Sequence, residues 1–185
     1  MKICVIDLEM CQPSNRIIQI GAVIADTRTC KIVDTFNLLV NPFEEVSQEI
    51  TTLTGITSEM VANAPGPARA YLQFKEFLKA GGATTLPAQW GIGDTDLLRT
   101  QVGLDWENFC FRRRAIDVKA LYQAWAAFSG NSTKAGLESS MRHLGLTFVG
   151  QQHNAADDAY NTWTVLENLS RRMVLFDKIE KLVKG

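Results

Sequence analysis

The first forty residues alternate between short apolar runs and polar punctuation. Lys2 to Leu8 (K-I-C-V-I-D-L), Ile17 to Ala25 (I-I-Q-I-G-A-V-I-A) and Lys31 to Val40 (K-I-V-D-T-F-N-L-L-V) are rich in β-branched residues and too short for helices, which predicts three strands. Gln12-Pro13-Ser14-Asn15 turns between the first two, Asp26 to Cys30 makes a hairpin of the second and third, and Asn41-Pro42 stops the third. The chain therefore opens as an antiparallel meander. From Glu44 the apolar spacing becomes helical: Thr57-Ser58-Glu59 can cap a short helix through Ala62, and Ala68 to Ala80 carries Tyr71, Leu72, Phe74, Phe77 and Leu78 on a helical period ended by Gly81-Gly82. Thr84 to Trp90 reads as a fourth strand feeding a helix over Asp94 to Val102. Phe109 to Ile116 reads as a fifth strand, followed by helices over Val118 to Phe128 and Lys134 to Leu144. The last helical region starts at Ala155 and runs through Leu169, with room for a break before a final piece, Met173 to Val183. A meander leading into βα units predicts one α/β domain over residues 1–185.

Composition narrows this only a little. With 46% hydrophobic and 21% charged residues in 185, the chain has enough apolar mass for a sizeable core and argues against long disorder. Nineteen basic against twenty acidic residues is not the profile of a protein that holds nucleic acid by net charge alone, although cations held by an acidic cluster would bring their own positive charge. Cys4, Cys11, Cys30 and Cys110 form no C-x-x-C pair, which points to reduced thiols in a cytoplasmic protein. Met1-Lys2 leads straight into a strand pattern, leaving no room for a signal peptide, and no apolar run is long enough to span a bilayer, so no membrane partner is expected.

The acidic residues carry the chemistry. Asp7 and Glu9 lie two apart at the end of the first strand, so they share a face with Cα atoms roughly 6–7 Å apart. Two carboxylates so placed repel unless a cation sits between them, which suits hard ions such as Mg²⁺ or Mn²⁺; a solvated strand end is the plain alternative for the pair taken alone. In His153 to Trp163 (H-N-A-A-D-D-A-Y-N-T-W) helical phase separates two adjacent aspartates. From Asp158, steps of four, seven and eleven reach Thr162, Val165 and Leu169, which look inward; from Asp157 they reach Asn161, Thr164 and Asn168, a polar face. Asp158 is thus aimed at the sheet, and Asp157 favours the helix N-terminus. His153, in the loop before the helix, is suited to take a proton from a water near neutral pH. In W-G-I-G-D-T-D-L-L, Asp94 falls on the side of Leu97 and Leu98, with Asp96 an alternative and a helix N-cap the plain reading of either.

In order, D-L-E (Asp7 to Glu9), W-G-I-G-D (Trp90 to Asp94) and H-N-A-A-D-D (His153 to Asp158) resemble the DEDDh exonuclease superfamily. I-I-Q-I-G-A-V, N-P, L-T-G-I-T (Leu53 to Thr57), A-I-D-V-K-A-L-Y and G-L-E-S-S-M-R-H-L-G-L extend the likeness over nearly the whole chain. D-L-E-M and L-T-G-I-T most resemble the branch of histone-mRNA and small-RNA trimming exonucleases, although Met10-Cys11 stands where many relatives carry threonine. The resemblance implies a ribonuclease-H-like fold, a mixed five-stranded sheet flanked by helices, and hydrolysis of nucleotides from 3′ ends of RNA or DNA. Two divalent ions, Mg²⁺ or Mn²⁺, would be held by Asp7, Glu9, Asp158 and, directly or through water, Asp94, with His153 as general base. It also implies that Leu53 to Ile56 approaches the terminal nucleotide. Met10 and Trp90 are further candidates for substrate contact, and core packing is the competing role for Leu53, Ile56 and Trp90. Arg112-Arg113-Arg114 could bind phosphate or simply charge a strand edge. Two other functions fit the same carboxylates less fully: a metal-dependent phosphohydrolase of small nucleotides, and a non-catalytic nucleic-acid-binding module.

Overall fold

A computed structural model describes residues 1–82, 85–102, 114–134 and 136–183. Strands β1 (Lys2–Met10), β2 (Ile17–Asp26) and β3 (Lys31–Leu39) form the expected meander. β4 (Thr85–Gln89) and β5 (Ile116–Asp117) complete a five-stranded sheet in the order β3-β2-β1-β4-β5. β1 is antiparallel to β2 and parallel to β4, which is in turn parallel to β5. The mixed sheet agrees with the predicted class. The fifth strand was expected over 109–116. Residues 109–113 lie outside the described residues, and pairing starts only at Ile116.

Alternation along the strands sorts the core into two faces. Cys4, Ile6 and Leu8 of β1 pack with Ile20, Ala22 and Ile24 of β2 against α3 (Pro67–Gly81) and α4 (Asp94–Val102). Ile3, Val5, Val23 and Ala25 pack on the opposite face, against α5 (Val118–Phe128), α6 (Leu137–His143) and α7 (Ala155–Val183). A third cluster, Cys11, Ile18, Val46, Ile50, Ile56 and Val61, seats α1 (Gln48–Thr54) and α2 (Ser58–Ala62) at the end of the sheet. Ser47 and Thr57 cap these two short helices through their hydroxyls.

Two helices differ from expectation. α6 starts at Leu137, not Lys134, because Gly136 takes the extended conformation of an N-cap. α7 is one continuous helix without the break expected before Met173. No glycine or proline interrupts residues 155–183, and pairs four residues apart carry the helix across the junction: Arg171 with Glu167, and Arg172 Nε donating to Asn168 Oδ1 at 2.7 Å.

α7 meets the sheet at one place where no side chain fits. A Cβ at Gly21 would fall inside van der Waals contact of the Ala155 carbonyl and the Ala156 nitrogen. Gly21 is paired with Asp7 in the ladder, so this close approach sets the height of α7 above the strand that carries the first acidic residue. Gly21→Ala should destabilise the fold by at least about 2 kcal/mol, measured by denaturant unfolding, because the helix start must lift off the sheet.

Candidate active site

The strand order brings three segments to one end of the sheet. Asp7 and Glu9 continue the face of Ile3 and Val5, the face that α7 covers. β4 runs parallel to β1 and ends at Gln89, one residue past Ala88, the partner of Val5, just short of the level of Asp7. A turn with Gly91 at φ 89° and Gly93 at φ 122° then reverses into α4, whose first residue is Asp94. The buried Gln89 fixes this turn: its Oε1 accepts from Thr95 N at 3.0 Å and its Nε2 donates to the Gly91 carbonyl at 3.2 Å. Asp94 therefore faces the cluster. Asp96 points outward, exposed, and pairs with Arg99 at 3.1 Å.

α7 delivers the rest. Asn154 accepts from Ala156 N at 3.2 Å as its N-cap, and the loop before it is tied to the helix's first two turns. Asp157 accepts from Gln151 N at 2.8 Å, and Asp158 Oδ2 accepts from His153 N at 3.0 Å. The buried Asn161 amide exchanges hydrogen bonds with both backbone groups of Val149, at 3.0 and 2.8 Å. These bonds hold His153 in a left-handed conformation, φ 59°, with its side chain exposed toward the cluster. Glu9, His153 and Asp158 each offer a ligand atom, all within 4.8 Å of one another, a grouping that could hold a metal ion.

Burial and mutual repulsion push every carboxyl of the cluster up. Asp7 is raised well above the usual carboxylate range by burial first, then by the charges of Asp94, Asp158 and Glu9. Glu9 rises to about 8, through burial and then Asp158 and Asp94. Asp94 rises to about 7 through burial. Asp158 reaches about 6: burial raises it, while the backbone N–H and charge of His153 pull it back. Four carboxyls that resist ionisation together, on hard oxygen donors, are suited to divalent cations.

The remaining candidates separate. Met10 lines a cleft of about 370 Å³ beside Asp94, together with Asn15, Ile92 and Leu97. Leu53 is 48% exposed near the end of α1, and the glycine that closes that helix, Gly55, lies beside Gln151 of the His153 loop. Ile56 is only 3% exposed and belongs to the core under α1 and α2, so its side chain is not brought to the cluster. Trp90 packs on the Tyr122 ring, 6.2 Å between centroids, on the α5 side. Of the arginine run only Arg114 is among the described residues, and it is exposed. Sequence reasoning missed Gln19, Gln89 and Asn161. Gln19 is 2% exposed and opposite Glu9. It accepts from Ala155 N at 3.0 Å and donates to Asn37 at 2.9 Å, so it holds the start of α7. A polar residue inside a buried strand was the signal available for it.

A carboxyl whose folded pKa lies above its unfolded value, about 4, binds protons more tightly when folded. Its contribution to stability is full below that unfolded value and is lost as pH rises through the folded one. Thermal unfolding in chelator should therefore show the cluster weakening the protein progressively from about pH 4 to pH 8. Millimolar Mg²⁺ or Mn²⁺ should restore the loss most strongly at pH 8.

The family described as exonuclease, of RNase T type, matches over residues 4–166. Snipper, a 3′-5′ exonuclease of Drosophila melanogaster, is 27% identical over 183 residues, covering 86% of this chain and 63% of Snipper. The chain thus spans less than two thirds of that relative. A 3′-exonuclease solved with a histone mRNA stem-loop superposes with TM-score 0.79 at 22% identity, over 92% of this chain and 82% of that one. The nuclease domain of 3′hExo, a DEDDh member solved with rAMP, superposes with TM-score 0.75 at 21% identity, over 92% of both chains. At these identities the structures show a shared fold, the ribonuclease-H-like sheet expected from the motifs. With a family match over most of its length, this chain belongs to the RNase T-type exonuclease family.

Proposed function

We propose that the chain removes nucleotides one at a time from the 3′ end of single-stranded nucleic acid, RNA slightly favoured over DNA, by metal-dependent hydrolysis of the phosphodiester bond. The observation that carries this reading is the convergence of Asp7, Glu9, Asp94 and Asp158 with His153 from three separate parts of the chain. Snipper's activity as a 3′-5′ exonuclease supports the direction. The rAMP and the histone mRNA stem-loop held by the two structural neighbours support the lean toward RNA.

Asp7, Glu9 and Asp158 would be direct ligands, with Asp94 acting directly or through water. When bound, two divalent ions, Mg²⁺ or Mn²⁺, would supply Lewis acidity at the phosphate and acidify the attacking water. His153 takes the proton of that water as its oxygen bonds to phosphorus and the bond to the 3′-oxygen breaks. The product is a nucleotide carrying the phosphate and a strand with a new 3′-hydroxyl. The loop bonds to Asp157, Asp158 and Asn161 hold the imidazole ready without reorganisation. Leu53 and Met10 offer apolar surface to the terminal base, and Ile56 supports α1 from below.

Residues 1–185 act in this reading as one exonuclease domain working in the cytoplasm. The free thiols of Cys4, Cys11 and Cys30 fit a reducing compartment, and no helix among the described residues is long and apolar enough to cross a membrane.

The test uses 5′-labelled RNA and DNA oligomers with Mg²⁺, Mn²⁺ or chelator, in which a ladder shortening from the 3′ end and lost in chelator is expected. Asp158→Asn and Glu9→Gln should reduce turnover to background. His153→Ala should lower it about 100-fold or more, with less loss of metal binding, followed by calorimetry, than the carboxylate variants show. Full activity in Asp158→Asn would overturn the assignment.

A further inference from the structure

A second hollow, of about 450 Å³, lies beyond the Asp94 cleft and is lined by Phe43, Gly66, Pro67, Ala68, Arg69 and Gln101. Its volume is in the range of small-ligand sites. Phe43 presents its ring to solvent, 70% exposed, from a left-handed backbone at φ 56°. Such a conformation is unfavourable for a bulky residue and persists only when its surroundings hold it. Here they do: Asn41 Oδ1 accepts from Phe43 N at 2.8 Å, and Arg16 donates to the Pro42 carbonyl at 2.7 Å. The ring also lies over Gly66, where a Cβ would come within 2.6 Å of it, so the absence of a side chain there lets the aromatic face stand in this position.

A hydrogen bond joins the wall of this hollow to the wall of the Asp94 cleft. Gln101, on its wall, accepts from Ile17 N at 3.0 Å and donates to the Asn15 carbonyl; Asn15 in turn lines the cleft that contains Met10, Ile92 and Asp94. Exposed Arg69 lines the hollow, while Arg16 is offset by Glu44 at 3.5 Å. A fixed aromatic face and a cation, on a wall bonded to that of the Asp94 cleft, match a single strand: stacking accepts any base, and the guanidinium meets phosphate.

We infer that the Phe43 hollow is a distal subsite that holds the upstream part of the nucleic-acid strand by stacking a base on the Phe43 ring beside Arg69. The inference rests on the exonuclease reading. The chain's 3′ end would lie at the carboxylates while the strand runs past Met10 and Gln101 to Phe43, so affinity should grow with strand length until this subsite is filled.

The experiment compares the whole protein with Phe43→Ala and Phe43→Trp on single-stranded oligonucleotides from a dinucleotide upward. It measures kcat and KM with Mg²⁺, and equilibrium binding by fluorescence anisotropy in chelator. The expected result is a loss in Phe43→Ala that grows with length, reaching roughly five-fold or more in KM for long strands with kcat little changed, and recovered in Phe43→Trp. Loss of equal size at every length, or an unchanged length profile, overturns the subsite and leaves the hollow as a face for another molecule such as a protein. Thermal unfolding of both variants separates a misfolded loop, which Phe43→Trp would not rescue. Anisotropy keeps the two readings apart: absence of any 3′ ladder in the unaltered protein sinks the exonuclease reading, whereas the length dependence of binding judges the subsite by itself.

Discussion

Helix α7 crosses the sheet at backbone distance over Gly21, and the site depends on that crossing. Only a residue without a Cβ leaves room for the Ala155 carbonyl, and the small Ala155 and Ala156 keep the helix side equally thin. Gln19, two residues before Gly21 and on the same face, accepts the Ala155 N–H that the helix's first turn cannot satisfy internally. Position and direction are both fixed at one point. Asp158, one turn further on, and His153, in the loop just before, then meet Glu9 within coordination distance of a shared ion, beside the buried Asp7. A larger residue at position 21 would move every one of these groups together.

The same crossing creates the site's electrostatic cost. Carboxyls held under a helix and against a central strand lose solvent and gain one another's charge, which is why Asp7 and Glu9 resist ionisation more than an exposed pair would. The apolar faces on both sides of β1 carry that cost, with Cys4, Ile6 and Leu8 on one side and Ile3 and Val5 on the other. The His153 loop stores a smaller strain in its left-handed residue, held by hydrogen bonds to Asp158 and through Asn161. Such an arrangement is poor for stability and good for holding cations, and stability should come back when they bind.

Where the pattern was local, the sequence was readable. The meander, the α3 stripe apart from Leu72, which is exposed, and the choice of Asp158 over Asp157 all follow from periods of two and 3.6, and Thr162, Val165 and Leu169 are buried as that phase requires. The same reasoning misplaced Asn161 on a polar outer face; it is buried, because the Val149 backbone consumes its amide. Ile56 sits in a motif that by resemblance approaches substrate, yet its side chain is core, while Leu53 three residues earlier is exposed. The break allowed for in α7 is absent for a different reason: no glycine or proline interrupts residues 155–183.

By itself the sequence determined the elements, their inward faces and the residue types of the acidic set, since each is written within a few neighbouring positions. Only the tertiary structure decided that Asp94 and not Asp96 joins the cluster, because that depends on how Gln89 and two left-handed glycines turn the chain after β4. It alone revealed the bond from Gln19 to Ala155, between residues 136 positions apart. Contacts of that reach leave no period in the chain. They arise when separate elements are packed to a common height, and here that height is set by the hydrogen atom that glycine carries in place of a side chain at position 21.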